Sequence, residues 1–129
     1  MKTFIFALLV LLPVHANAFV ITVDFVDYDV TITRPDDPIV KDIRSFRLYS
    51  EQYYLLTDPS NAVLATTTFS GDHLWWIEGT VIPVVWKRRW DKGRVFYCSI
   101  GHRLEDLKVP QVTEIIRRGA LWAAREEQS

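Results

Sequence analysis

With 129 residues, 49% of them hydrophobic and 24% charged, the chain has the size and composition of a single globular domain. A formal net charge of −1 argues against a nucleic-acid partner, which needs a concentrated basic surface. Cys98 is the only cysteine, so an internal disulfide and a cysteine-built zinc site are excluded, and His15, His73 and His102 lack metal-ligand spacing. No metal and no cofactor is expected.

Residues 1–18, MKTFIFALLVLLPVHANA, open with Lys2, run apolar from Thr3 to Val14 and end in Ala16-Asn17-Ala18. This is the three-part pattern of a secretory signal peptide. The apolar run is shorter than the about 20 residues that cross a bilayer. The alternative is a buried first strand. Cleavage after Ala18 would leave 129 − 18 = 111 residues beginning at Phe19, with no later apolar stretch of spanning length. The expectation is a secreted or periplasmic domain, residues 19–129, with no membrane span. Cys98 lies in an apolar strand, where burial is its common fate.

From Phe19 to Ile32 the chain is rich in Val, Ile, Phe and Tyr, and the alternation at Tyr28, Val30 and Ile32 predicts a half-buried strand. Pro35-Asp36-Asp37-Pro38 ends it. Ile39 to Ile43 fits one helical turn. Phe46 to Leu56 and Val63 to Phe69 read as further strands, separated by the turn residues Asp58-Pro59-Ser60-Asn61. Trp75-Trp76 reads as core or as a loop anchor. Thr80 to Trp90 and Arg94 to Ile100 flank Asp91-Lys92-Gly93, which predicts a hairpin with Gly93 free to take a positive φ. Pro83 lacks an N–H and therefore marks an edge strand or a bulge. Pro110 to Arg125 is the one strong helix. Pro110 suits its first position, and Val112, Ile115, Ile116, Gly119 and Trp122 form the buried stripe. Gly119 on that stripe implies close approach to a sheet.

The ordered series Pro83-Val84-Val85-Trp86, Lys92-Gly93-Arg94-Val95-Phe96-Tyr97, Ser99-Ile100-Gly101-His102 and Arg118-Gly119-Ala120-Leu121-Trp122-Ala123 resembles the C-terminal signature of ThuA-like (trehalose utilisation) domains. That family reads P-V-x-W, G-K-G-R-V-F-Y, S-L-G-H and R-G-x-L-W-A. The likeness covers about residues 25–126. It implies an α/β fold of the class I glutamine amidotransferase-like (flavodoxin-like) kind, a sheet with helices on both faces. It also implies a role in trehalose or oxidised-sugar utilisation, with a sugar as ligand. Members of the family are about twice as long, so the resemblance implies the C-terminal half of a domain, incomplete for catalysis alone and prone to self-association or to pairing with a missing half. Two positions depart from the pattern: Asp37 replaces the His of D-x-x-H-P-I, and Asp91 replaces a Gly before Lys92-Gly93.

His102 is the leading catalytic candidate. It follows Gly101 where an apolar strand leaves the sheet, and ligand sites in open α/β sheets lie beyond such ends. Glu105, three residues on, is the expected partner of its imidazole. In amidotransferase-like relatives a His at a similar strand end serves a cysteine nucleophile. Cys98, inside the strand, is not placed for that role. The alternative for His102 is a structural residue of the loop. Glu51 and Tyr53, within Glu51-Gln52-Tyr53-Tyr54, pair a carboxylate with a phenol in a way that suits sugar hydroxyls. Trp86 and Arg89, with Arg88, could bind a sugar or an anion from the hairpin arm. The alternatives are an alternating strand and a solvated strand end. A non-catalytic carbohydrate-binding or interaction module stands beside the enzyme reading, as does a gene fragment without independent function.

Overall fold

The computed structural model describes residues 21–124, with side chains from Asp24 onward. The expected leader, the expected start at Phe19 and Arg125 lie outside the described residues. Five strands, β1 (Ile21–Ile32), β2 (Phe46–Tyr54), β3 (Ala62–Thr68), β4 (Val81–Trp90) and β5 (Gly93–Cys98), precede one helix, α1 (Pro110–Ala124). Short 3-10 turns lie at Trp75–Ile77 and Asp106–Lys108.

The fold is mixed α/β. The strands form a curled sheet in the order β2-β1-β3-β4-β5, antiparallel at every pairing. Among the described residues there is one α-helix. They therefore hold a strand-rich part of an α/β fold, with the β-hairpin and the C-terminal helix that the sequence predicts. The core is built from the apolar faces of these elements: Val30, Leu64, Val85, Val112 and Ile115 are fully buried. A second cluster, Phe69, Ile77 and Ile82, packs at the other end of the sheet.

β1 pairs with β2 along most of its length, from Ile21↔Tyr54 to Val30↔Phe46. It pairs with β3 only at Thr31↔Thr66 and Ile32↔Ala65. The β1–β2 ribbon therefore splays away from the other strands. Pro83 faces Thr66 where the β3–β4 register shifts. It marks an irregularity in an interior strand, and the edge-strand alternative does not hold.

Two glycine expectations meet different outcomes. In the hairpin, Trp90 pairs with Gly93, so Asp91-Lys92 is a two-residue loop. The left-handed residue is Asp91, at φ 51°, and not Gly93. This corrects the expected role of Gly93 and gives a physical reason for a Gly at position 91 elsewhere in the family. At Gly119 the expectation holds: a Cβ there would lie 2.3 Å from the Phe96 ring of β5. Pro110 opens α1 as expected. Trp75 is 82% exposed, whereas Trp76 meets the Tyr54 ring edge-on at 5.7 Å, so within the pair it is Trp76 that anchors the loop.

Candidate functional site

Strand alternation decides which β2 side chains reach the site. Leu48, Ser50 and Gln52 are buried, which turns Tyr49, Glu51 and Tyr53 to the opposite face. There Tyr53 O–H donates to Glu51 Oε2 at 2.6 Å. His102, arriving from the loop after β5, places Nδ1 3.1 Å from the same Oε2 and 3.2 Å from the Tyr53 oxygen. Three residues named from the sequence thus form one cluster across a separation of about fifty positions. The Glu51 side chain is 19% exposed and the imidazole 44% exposed, so the carboxylate is sheltered and the ring faces outward.

The loop is held by contacts that the sequence reading missed. Gly101 has φ 120°, and a Cβ on it would meet Leu107 at 3.0 Å, so the corner before His102 demands glycine. Asp106 is 2% exposed. It accepts from Ser50 O–H at 2.7 Å and from Arg103 N–H at 3.0 Å. The Arg103 guanidinium donates to the Tyr49 carbonyl on the free edge of β2 at 2.9 Å, and it lies 4.3 Å over the Phe25 ring. The Phe25 ring also meets His102 edge-on at 5.5 Å. Asp106 and Arg103 together fasten the loop to β2 and fix the direction of His102.

Glu105, the expected partner of His102, makes no hydrogen bond or ion pair with it. It precedes the 3-10 turn with αR geometry and points to solvent. The imidazole's carboxylate is Glu51, and the acid that turns inward is the neighbouring Asp106. Arg89 is likewise separated from the cluster. Trp86 stacks on Tyr97 at 4.9 Å and 14°, whereas Arg89 lies with Lys87 beside Trp122. Positions 86 and 89 point to opposite faces of β4, so the expected set of Glu51, Tyr53, Trp86 and Arg89 is not one site. Arg88 pairs with Asp58 at 3.2 Å.

The electrostatics follow from burial and contacts. The Tyr53 phenol is pushed up to about 12, first by burial, then by its hydrogen bond to Glu51 and that carboxylate's charge, with Tyr97 adding to it. Burial alone would raise Asp106, but the Arg103 amide, the Ser50 hydroxyl and the Arg103 charge outweigh it and hold the carboxyl below its usual range. Burial pushes the Cys98 thiol up to about 11, so it is no thiolate nucleophile at neutral pH.

Nδ1 is the ring nitrogen that meets the Glu51 carboxylate and the Tyr53 hydroxyl, so Nε2 is the nitrogen that remains for a ligand. Tyr53 stays protonated and acts as a donor. The cluster can therefore accept and return a proton, and its carboxylate and phenol can hold hydroxyl groups. Among the described residues no group of three His, Cys, Asp or Glu side chains is placed to hold a metal ion. No described helix is long and apolar enough to cross a membrane. Next to the cluster a cleft of about 640 Å³ opens where β1 leaves β3, and Phe25 and Tyr49 line it.

The family model for trehalose utilisation (ThuA) matches residues 14–123. The chain belongs to the ThuA family. Among solved structures it is similar to a thua-like protein from Parabacteroides merdae, with a TM-score of 0.69 at 20% identity, over 85% of this chain and 43% of that one. The chain thus spans less than half the length of that relative, and the likeness is one of fold. No curated protein matches. Asp37, where the ThuA pattern has His, lies outside the cluster. It pairs with Lys87 at 2.5 Å and accepts from Ile39 N–H at 3.1 Å.

Proposed function

We propose that this ThuA domain binds a sugar of the trehalose or oxidised-disaccharide class at Glu51, Tyr53 and His102. In this reading Glu51 and Tyr53 hold hydroxyl groups, and His102, oriented by Glu51, moves a proton through Nε2. The observation that carries the reading is the shared Oε2: one sheltered carboxylate accepts the Tyr53 hydroxyl and faces His102 Nδ1. Such an arrangement orients an imidazole for acid–base work.

A second reading, a non-catalytic carbohydrate-binding module, draws on the chain's covering 43% of its Parabacteroides relative. Calorimetric titration with trehalose and with oxidised disaccharides, for the wild type and for His102→Ala and Glu51→Ala, tests both. Binding weakened at least tenfold by each substitution, with turnover, supports the enzyme. The same binding without turnover supports the module. Binding that both substitutions leave unchanged removes the site. We also propose that residues 1–18 direct export. Recovery of the uncleaved chain from the cytoplasm of its producing cell would overturn this.

A further inference from the structure

The cleft beside the His102 cluster is polar, pre-built and unused by the site described above. One wall is the face of β1 and β2 that carries Asp29 and Tyr49; the other is the Ser70–Leu74 segment that follows β3. That second wall is anchored. Phe69 is 3% exposed and Ile77 2% exposed. Phe69 N–H donates to the Thr80 carbonyl at 3.1 Å, and Gly79 N–H to the Phe69 carbonyl at 3.0 Å. Gly71 sits at φ 86°, and a Cβ there would press on Glu78 at 2.8 Å, so the turn presenting Asp72 and His73 depends on glycine. The wall is thus fixed before any ligand arrives.

The cleft also continues the candidate site. Phe25 and Tyr49 line it, and the same two rings carry Arg103 at 4.3 and 5.3 Å, with His102 against Phe25. Along β2, Glu51 and Arg47 lie on one face four residues apart, about 13 Å at the usual strand rise. That span accommodates two linked sugar rings. At about 640 Å³ the cleft lies in the range of small-molecule sites. Its lining combines aromatic faces with carboxylate, hydroxyl and imidazole groups, which suits a neutral polyol.

We propose that this cleft is a second sugar subsite. It holds the distal ring of a disaccharide whose first ring lies at His102, with Asp29, Asp72 and His73 bonding the distal hydroxyls. The inference rests on the sugar reading of the His102 cluster and adds where the second ring of the disaccharide lies. Asp29 is an exposed partner of Arg47 at 4.0 Å, and Asp72 is exposed, so Asp29→Asn with Asp72→Asn leaves the core untouched.

The test titrates the full chain with trehalose and with glucose, following backbone amides by NMR and affinities by calorimetry. The proposal expects trehalose to shift amides at both Gly101–Arg103 and Ser70–His73 and to bind at least about tenfold more tightly than glucose. The double variant should collapse that ratio to about one. Shifts confined to Gly101–Arg103, or an unchanged ratio, overturn the second subsite and leave the His102 reading standing. Shifts confined to Ser70–His73 overturn the His102 reading and the continuity of the two sites. Absence of binding by either sugar overturns both.

Discussion

Replacing Asp106 with Ala tests whether the His102 loop is fastened as described. The carboxylate is 2% exposed and accepts from Ser50 at 2.7 Å and from Arg103 N–H at 3.0 Å. Hydrogen bonds to a charged group contribute about 1.5–3 kcal/mol each, giving a gross loss of about 3–6 kcal/mol. The ion pair with the Arg103 guanidinium, at 3.5 Å and with that side chain 37% exposed, adds little, so the low end of the range applies. The expected loss is about 3 kcal/mol, or about 12 °C in Tm for a domain of this size. The sign of the pH effect is fixed too. A carboxyl held below its unfolded value stabilises the fold above about pH 4, and that contribution disappears as the pH falls through the folded value. Urea denaturation at pH 7 and at stepwise lower pH reads both quantities. Asp106→Ala should be weaker at neutral pH and lose less stability on acidification than the wild type. A loss below about 1 kcal/mol, or an acid limb identical to the wild type, would refute the fastening.

Gly119→Ala drives a methyl group into the Phe96 ring and should cost about 1–3 kcal/mol by denaturant titration, despite alanine's better helix propensity; a stabilised variant contradicts the close approach. Asp91→Gly relieves a left-handed residue and should stabilise the hairpin by about 0.5–1 kcal/mol, whereas a fall in Tm would show that Asp91 carries some other contact. For Tyr53, a phenol raised by burial and by Glu51 stabilises the fold in full below about pH 10, and this is lost as pH rises toward 12. The ultraviolet difference titration between wild type and Tyr53→Phe should place this ionisation at about 12, and Glu51→Gln should lower it. An ionisation at the ordinary tyrosine value would contradict the Tyr53–Glu51 contact.

Much of the fold could be read locally, because its signals are local. The presence of the hairpin, the proline that opens α1 and the Gly119 stripe each follow from a few adjacent residues, whereas the strand pairing shortens the loop to Asp91-Lys92 and makes Asp91 its left-handed residue. The site was legible as a set of residues but not as a set of contacts. Glu51, Tyr53 and His102 each stand out by chemistry, yet only the β1–β2 register and the turn at Gly101 bring them together. Glu105 and Asp106 are adjacent acids, and which one turns inward depends on the 3-10 turn and on Ser50, 56 positions away. Trp86 and Arg89 are near neighbours along the chain, yet strand alternation sends them to opposite faces. The splaying of β1 from β3, which opens the cleft, is a consequence of pairing that no short stretch encodes.

A double-mutant cycle on sugar binding tests the central claim most directly, that Glu51 and His102 act as one unit on a sugar. The free energies of trehalose binding would be compared for the wild type, Glu51→Ala, His102→Ala and the double variant. A shared Oε2 predicts a coupling energy of about 1 kcal/mol or more, with the double variant losing less than the sum of the single losses. Strictly additive losses, or trehalose binding that neither substitution alters, would contradict it.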